Sequence, residues 1–470
     1  ESEENKKEIQ EINEKIFKAY DVRGEYPDEL NENVAHKIGQ ATADYFFPTQ
    51  ILIGRDHRDS SYPLFQAVSG GIMKQGVDVV DIGVCTSPMF YFAVASGDYE
   101  VGMMITASHN PYIYNGIKIV KKMAIPLGMG LGLENIKDIV LENNFHDSQR
   151  QGTMQLIDLT DKYVGYLKSF QTTTIDKNLK MILDSSNGPA GRLAYKIFGE
   201  QINSVAINFD PTEDKTKDPN PLKPAARKEA EDLVIAQKSD GAFLWDGDGD
   251  RFFVLDEKAR LIPGHFVGAV LAEYILKKHP NEKVICDLRL SKATFKTIER
   301  SGGTPIMSRV GHSYIKNKMK QENAVFGAEM SGHYYFRGSA SEGLHEFYSD
   351  NGILPALYLL EIMSEKSKKL SELFDPFFEK YFVSEEINFK VRDPQQTLLL
   401  VEDTFSAMDK EGEQAEIIKL DGLTVQYKNW WFNVRSSNTE PVMRIVIEAD
   451  TKELLKDKID FITRLMQGFK

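Results

Sequence analysis

A chain of 470 residues is too long for one hydrophobic core, so three or four domains are expected. A formal net charge of −13 argues against a general nucleic-acid binder or a protein of anionic membrane surfaces, and a 41% hydrophobic content is that of an ordinary soluble protein. Only Cys85 and Cys286 occur, which excludes a disulfide framework and points to a reducing compartment with two buried, inert thiols.

In chain order, residues 1–15 are charged and polar and resemble neither a signal nor a transit peptide. Residues 50–53 form a short apolar run ending in Gly54-Arg55-Asp56. Further strand-like runs follow at 77–82 and at 101–105, the latter ending at Thr106. A polar helical stretch at 158–168 bridges to the next unit, where 180–183 opens into Asp184-Ser185-Ser186-Asn187-Gly188. The run 242–245 is a buried strand, 255–261 a hairpin turn, and 283–286 a strand ending at Asp287. No apolar run approaches the ~20 residues that cross a bilayer. The longest, 353–363, holds Pro355 and Glu361 and reads as a core helix. A cytoplasmic protein is expected. The strand–helix alternation predicts α/β domains. After a charged, Phe-rich stretch at 365–382 the pattern changes, and from Glu386 strands and a terminal helix at 452–466 predict an α+β unit. The expected division is 1–153, 154–257, 258–376 and 377–470.

Four loops carry the chemistry. Asp246-Gly247-Asp248-Gly249-Asp250-Arg251 follows an apolar strand at what is usually the ligand edge of an α/β sheet. Three carboxylates this close repel unless a cation sits among them, and hard oxygen ligands suit Mg²⁺ or Ca²⁺. Arg251 beside a cation points to an anionic substrate, most simply a phosphate. An EF-hand fits the positions of Asp246, Asp248, Asp250 and Glu257, but that loop needs glycine where Arg251 stands. An aspartyl-phosphate phosphatase and a metal-free acidic turn are weaker alternatives. Upstream, Thr106-Ala107-Ser108-His109-Asn110-Pro111 displays Ser108 as a nucleophile or phosphate carrier, with Lys118 returning to the same loop. It is not a Gly-x-Ser-x-Gly elbow, and the neighbouring Ser108 and His109 side chains are expected to diverge. In Glu329-Met330-Ser331-Gly332-His333 the polar residues alternate, so an extended segment would point them one way, suited to sugar hydroxyls. Arg435-Ser436-Ser437-Asn438-Thr439 has the makings of a phosphate clamp. By contrast, Gly128-Met129-Gly130-Leu131-Gly132 lacks the spacing of a nucleotide loop.

Taken in order, these loops resemble those of the α-D-phosphohexomutases, most closely the bacterial phosphomannomutase/phosphoglucomutase branch, over nearly the whole chain. Tyr20-Asp21-Val22-Arg23-Gly24, Gly54-Arg55-Asp56 and Gly311-His312-Ser313 with Lys316 add to the resemblance. It implies four domains around a central cleft, three similar α/β domains and a smaller C-terminal α+β one. It implies a phosphorylated Ser108 that, with Asp246, Asp248 and Asp250, holds one Mg²⁺. Arg23, Lys118, Arg251 and His109 would serve the transferring phosphoryl group, with His333 the first candidate for general base and Lys118 the second. Tyr20, Arg289, His312, Glu329, Ser331 and His333 would contact substrate, Glu329 and Ser331 reading the sugar's 3- and 4-hydroxyls. Arg435, Ser437, Asn438 and Thr439 would hold the phosphate that does not react. The implied reaction interconverts hexose 1-phosphate and hexose 6-phosphate, of mannose or glucose or both, through a hexose 1,6-bisphosphate. Glucose or mannose 1,6-bisphosphate would be the activator. A phosphosugar is the implied partner, with no nucleic acid and no membrane, and the chain is expected as a monomer or weak homodimer. Met330 and Asn438 favour the mannose/glucose type over a phosphoglucosamine mutase. A Mg²⁺-dependent sugar phosphatase and a non-catalytic sugar-phosphate binder are the other readings. Two departures stand out: Arg289 replaces the lysine of many relatives, and segment 338–348 is long.

Overall fold

Each strand-like run becomes a strand, and four sheets organise the chain. The computed structural model describes residues 12–210, 217–338, 346–409, 415–436 and 442–468. In the first sheet Val22–Glu25, Tyr114–Lys121, Val101–Ile105, Gln50–Arg55, Asp78–Val84 and Met154–Leu156 lie side by side, with Ile125–Pro126 against Tyr114–Lys121. Its inner strands run parallel and Tyr114–Lys121 runs antiparallel to both its long neighbours. The second sheet has the order Phe252–Asp256, Gly241–Trp245, Lys180–Asp184, Asn203–Ile207. The third has the order Thr304–Ser308, Lys283–Asp287, Phe326–Ala328, Tyr334–Gly338, Phe347–Asp350. Both repeat the plan of a parallel centre with an antiparallel edge. Every residue of Val101–Ile105 and of Gly241–Trp245 is buried, as expected of strands covered on both faces.

The helix Ser87–Ser96 shows how these units are joined. Thr86 caps it, its hydroxyl accepting from Met89 N at 3.1 Å, and Pro88 stands in its first turn. All its residues but the last are buried, so it is apolar on every side and must be enclosed. It belongs to one continuous core that joins Leu52 and Met104 of the first sheet, Leu183 and Phe243 of the second, and Val284 and Phe326 of the third. The expected core helix is there as Ile353–Lys366. Its fully buried Glu361 is satisfied by the N–H groups of Thr172 and Thr173 and the Tyr274 hydroxyl. Cys85 and Cys286 are free and buried, and burial pushes both thiols far up.

The fourth sheet is antiparallel and has its own core around Phe405, Trp430 and Phe432. One helix there departs from the sequence reading of strands followed by a terminal helix. Pro394–Asp409 precedes the strands Glu416–Ile418, Leu423–Gln426, Trp430–Ser436 and Val442–Ala449. Among its described side chains only Val401 and Phe405 are both apolar and buried, a narrow stripe, so its helical period is weak in the sequence. The terminal helix is Lys452–Gln467, capped by Thr451. Among the described residues no helix is long and apolar enough to cross a membrane.

Candidate active site

The strand Val101–Ile105 delivers Ser108. Its φ of 52° is left-handed, and its N–H donates to Thr106 Oγ1 at 2.9 Å. That backbone turn brings Ser108 Oγ to 3.3 Å from His109 Nδ1, so the two side chains converge where neighbours were expected to diverge. Burial and the charges of Arg251 and Arg23 hold His109 well below its ordinary value, leaving a neutral ring. Arg58, which sequence reasoning missed, holds the loop's shape. Its Nη2 donates to Ser108 O and Asn110 O, each at 2.7 Å, and its Nη1 to Pro111 O at 2.8 Å and Tyr114 O at 3.1 Å. Asp56 aims it, with Oδ2 accepting from Arg58 Nε at 3.1 Å. A carboxylate and an arginine two residues apart just after a strand were the available signal. Arg23 pairs with Asp21 and donates to Asn110 Oδ1 at 3.0 Å.

Facing this loop, the strand Gly241–Trp245 delivers the three aspartates. Trp245 is fully buried and donates its indole N–H to Gly352 O at 2.7 Å. Burial of Phe243, Trp245 and Phe252 at the loop's root stabilises it by roughly 1.5–3 kcal/mol per ring. Ser108 Oγ donates to Asp246 Oδ2 at 3.0 Å. A side chain at position 247 would put its Cβ 2.8 Å from Ser108 O, so only glycine lets the two loops meet. Gly249 has a φ of 69°, the conformation that reverses the chain between Asp248 and Asp250. One carboxylate oxygen from each aspartate lies within 4.8 Å of the others, all buried. Asp248 Oδ2 accepts from Ser87 Oγ at 2.6 Å and Lys118 Nζ at 2.8 Å, and Asp250 Oδ2 from the same Nζ at 2.8 Å. Asp248 Oδ1 is buried with no hydrogen-bond partner among the described residues, an orphaned acceptor that a cation would satisfy. Burial, then Asp250 and Asp248, push the Asp246 carboxyl well up, the electrostatic cost of three buried acids that Arg251 and His333 only partly offset. Lys118 supplies only one positive charge: burial works against it, but Asp248 and Asp250 hold its ammonium charged. All-oxygen donors, convergence and an unmet acceptor together fit a hard divalent cation. Arg251 Nε stands 3.9 Å from Asp246 Oδ2.

On the third sheet, Glu329, Ser331 and His333 do converge, but through a turn rather than the expected extended segment. Gly332, with φ 90°, donates its N–H to Glu329 O at 3.2 Å, and Glu329 N donates to His333 O at 3.0 Å. His333 Nδ1 lies 3.1 Å from Ser331 Oγ and 3.2 Å from Glu329 Oε2, while its Nε2 lies 3.3 Å from Asp250 Oδ1. This imidazole thus joins the sugar loop to the aspartate loop. Burial alone would lower His333, but the Asp250 carboxylate outweighs it and holds the ring up at about 9. Glu329 is fixed by the Tyr335 hydroxyl at 2.7 Å and Gly311 N at 3.2 Å. Tyr20 donates to Val310 O at 3.1 Å and stands edge-on to His312, with ring centroids 5.7 Å apart. A second residue absent from the sequence reading is Asp350, which faces Asp250 and His333 and pairs with Lys316 Nζ at 3.0 Å. Arg435 ends the strand side of the fourth loop and donates to Glu386 Oε2 at 3.0 Å. Ser437, Asn438 and Thr439 lie outside the described residues.

One cavity of about 690 Å³ gathers Tyr20, Arg23, Ser108, His109, Lys118, Asp250, Arg251, Arg289, His312, Glu329, Ser331, His333 and Arg435 on its walls. Residues from all four sheets therefore face one space, with Asp246 and Asp248 fully buried behind its surface.

Comparison with known proteins agrees with this arrangement. Residues 14–147, 161–259 and 263–381 match phosphoglucomutase/phosphomannomutase alpha/beta/alpha domains I, II and III, and 386–465 match that family's C-terminal domain. A phosphomannomutase of Escherichia coli (strain K12) is 37% identical over 442 residues, 92% of this chain and 94% of that one. The "Phosphohexose mutases" protein of Xanthomonas campestris pv. campestris is 36% identical over 458 residues, 96% and 99% of the two chains. Among solved structures, a phosphoglucomutase/phosphomannomutase family protein from Burkholderia thailandensis superposes with a TM-score of 0.85 at 28% identity, covering 97% of this chain and 98% of that one. With four matched segments in chain order and relatives of this identity along almost its full length, the chain belongs to the phosphoglucomutase/phosphomannomutase family.

Proposed function

We propose that this chain is an isomerase that moves a phosphoryl group within one hexose, interconverting hexose 1-phosphate and hexose 6-phosphate of mannose, glucose or both. The observation that carries the reading is the placement of Ser108 Oγ 3.0 Å from Asp246 at a cavity that Arg435, from a different sheet, also lines. A phosphoryl carrier and a separate anion clamp facing one space are what such a transfer needs, whereas a phosphatase needs only the first. The four units, divided at 153/154, 257/258 and 376/377, would each contribute one loop.

In this reading Ser108 is phosphorylated. Its phosphoryl group passes to the free hydroxyl of the bound hexose phosphate: the bond to Ser108 Oγ breaks, a bond to the sugar oxygen forms, that hydroxyl's proton goes to a general base, His333 the first candidate and Lys118 the second, and Ser108 Oγ takes up a proton, giving the 1,6-bisphosphate. After the intermediate turns over, its other phosphate returns to Ser108. Glucose or mannose 1,6-bisphosphate would prime enzyme that has lost its phosphate. Asp246, Asp248 and Asp250 would hold one Mg²⁺, which when bound offsets charge on the transferring phosphoryl oxygens. Arg251, Arg23 and Lys118 add fixed positive charge beside the same oxygens. Glu329 and Ser331 orient the sugar through its hydroxyls. His333 is protonated as long as Asp250 pulls on it. With Asp250 engaged by a cation that pull would weaken, which would move the ring toward its proton-accepting form. Closure of the C-terminal unit over the cleft would exclude water during the turn.

The test is a coupled assay on glucose, mannose and glucosamine 1-phosphates, each with a trace of the matching bisphosphate. Turnover of glucose or mannose 1-phosphate to its 6-phosphate supports the reading. Preference for glucosamine 1-phosphate would move the chain to the phosphoglucosamine branch, and release of free inorganic phosphate would mark a phosphatase.

A further inference from the structure

The fourth loop's arginines are already engaged with an anion of the chain's own. Glu386 stands at the start of the C-terminal unit. Its Oε2 accepts from Arg289 Nη1 at 3.1 Å and from Arg435 Nη2 at 3.0 Å, and its Oε1 lies 3.7 Å from Arg444 Nη1. Arg289 comes from the third sheet, while Arg435 and Arg444 come from adjacent strands of the fourth, where they are register partners. Three guanidinium groups from two sheets thus converge on one carboxylate. All three arginines line the central cavity, and each contacts Glu386. The arginines are not fully satisfied by it: Arg435 Nε and Arg444 Nε are buried and donate to nothing among the described residues. Arg289 is differently placed, because Asp287 already grips its Nε and Nη2 and orients its free edge toward Glu386.

From this geometry we infer that Glu386 is a resident stand-in for the substrate's non-reacting phosphate, holding Arg289, Arg435 and Arg444 in array and yielding to that phosphate on binding. The inference rests on the mutase reading for the identity of the incoming phosphate. A phosphate dianion offers three acceptor oxygens and twice the charge of a carboxylate, so it can satisfy the idle Nε groups that Glu386 leaves unmet. The exchange leaves the arginines pre-arranged in the empty cleft, where three unscreened guanidinium groups would otherwise repel one another. Burial pushes Glu386 up, but the three arginines outweigh it and keep the carboxyl below its ordinary value, so it is anionic at neutral pH. Because Glu386 links Arg289 of the third sheet to Arg435 and Arg444 of the fourth, the exchange also replaces an internal tie between the two units with one that runs through the ligand. The internal anion lowers the apparent affinity for phosphate by the fraction of arginine it occupies.

The probe is inorganic phosphate, titrated calorimetrically into the full chain and into E386Q. Removing the competing charge while keeping the shape should tighten phosphate binding about tenfold, equivalent to one charge-assisted contact. The gain should vanish in E386Q/R435Q, which shows that it arises at this cluster rather than beside Ser108. In turnover E386Q should lower KM for hexose 1-phosphate, which loss of a merely structural contact would not do. Unchanged or weaker phosphate binding in E386Q overturns the inference, as does a gain that survives R435Q. Should E386Q fail to fold, E386D withdraws the carboxylate by one methylene and must shift binding in the same direction; no shift overturns the idea. Calorimetry needs no turnover, so a chain without mutase activity still gives a readable answer about Glu386. Conversely, an active mutase with unaltered phosphate affinity sinks only this inference.

Discussion

Arg58→Lys is the most informative single change in the serine loop. The arginine is buried, with a side chain 1% exposed, and its two terminal nitrogens reach the carbonyls of Ser108, Asn110, Pro111 and Tyr114. A lysine keeps the charge, but its single nitrogen cannot span four carbonyls and also meet Asp56. At least two buried acceptors then lose their donor. At about 1–3 kcal/mol for each orphaned group, the loop loses on the order of 2–6 kcal/mol of local stabilisation. That is enough to release the left-handed Ser108 from its fixed position 3.0 Å from Asp246. A displacement of about 1 Å at the reacting atom costs on the order of 10²-fold in rate. The distal arginines are untouched, so kcat should fall about 100-fold with KM nearly unchanged, measured on hexose 1-phosphate with trace bisphosphate. Circular dichroism confirms that the variant is folded. A folded R58K chain with kcat within about threefold of wild type would refute the claim that this guanidinium positions the serine.

Gly247→Ala should cost about 1–3 kcal/mol and lower kcat, because its Cβ would meet Ser108 O at 2.8 Å; a thermal melt and rate equal to wild type would contradict this. Removal of divalent cations with a chelator should abolish turnover, and Mg²⁺ should restore it better than Ca²⁺, since three aspartates offer fewer oxygens than the six to eight Ca²⁺ takes. His265 is buried, and burial alone lowers it to about 3, against ~6.5 in an unfolded chain. The unfolded chain therefore binds one more proton between those values. Its contribution to stability is complete above pH ~6.5 and declines as pH falls toward 3, by up to about 1.4 kcal/mol per pH unit. Chemical denaturation of H265Q across that window should show a slope reduced by one proton, and an unchanged slope would show that His265 is not the group.

Much of the site was legible because its signals are local. Val101–Ile105 and Gly241–Trp245 are unbroken apolar runs ending in polar loops, and an alternating Asp-Gly pattern has few structural uses besides gathering oxygens. What escaped the sequence depends on contacts far along the chain or on single backbone angles. Arg58 acts on carbonyls about fifty positions away, and Asp350 meets Asp250 and His333 only after the third sheet is assembled. The meeting of Ser108 with His109 follows from one left-handed residue, and the turn at Glu329 follows from Gly332, neither of which periodicity reports. Helix Pro394–Asp409 was hidden by its narrow apolar stripe.

The central claim is that Ser108 Oγ carries the phosphoryl group. Intact-mass spectrometry after brief exposure to glucose 1,6-bisphosphate tests it directly. A gain of about 80 Da on the wild-type chain, mapped by peptide fragmentation to Ser108 and absent from S108A together with turnover, is the predicted result. Full turnover by S108A, or a phosphoryl group mapped to any other residue, would contradict it.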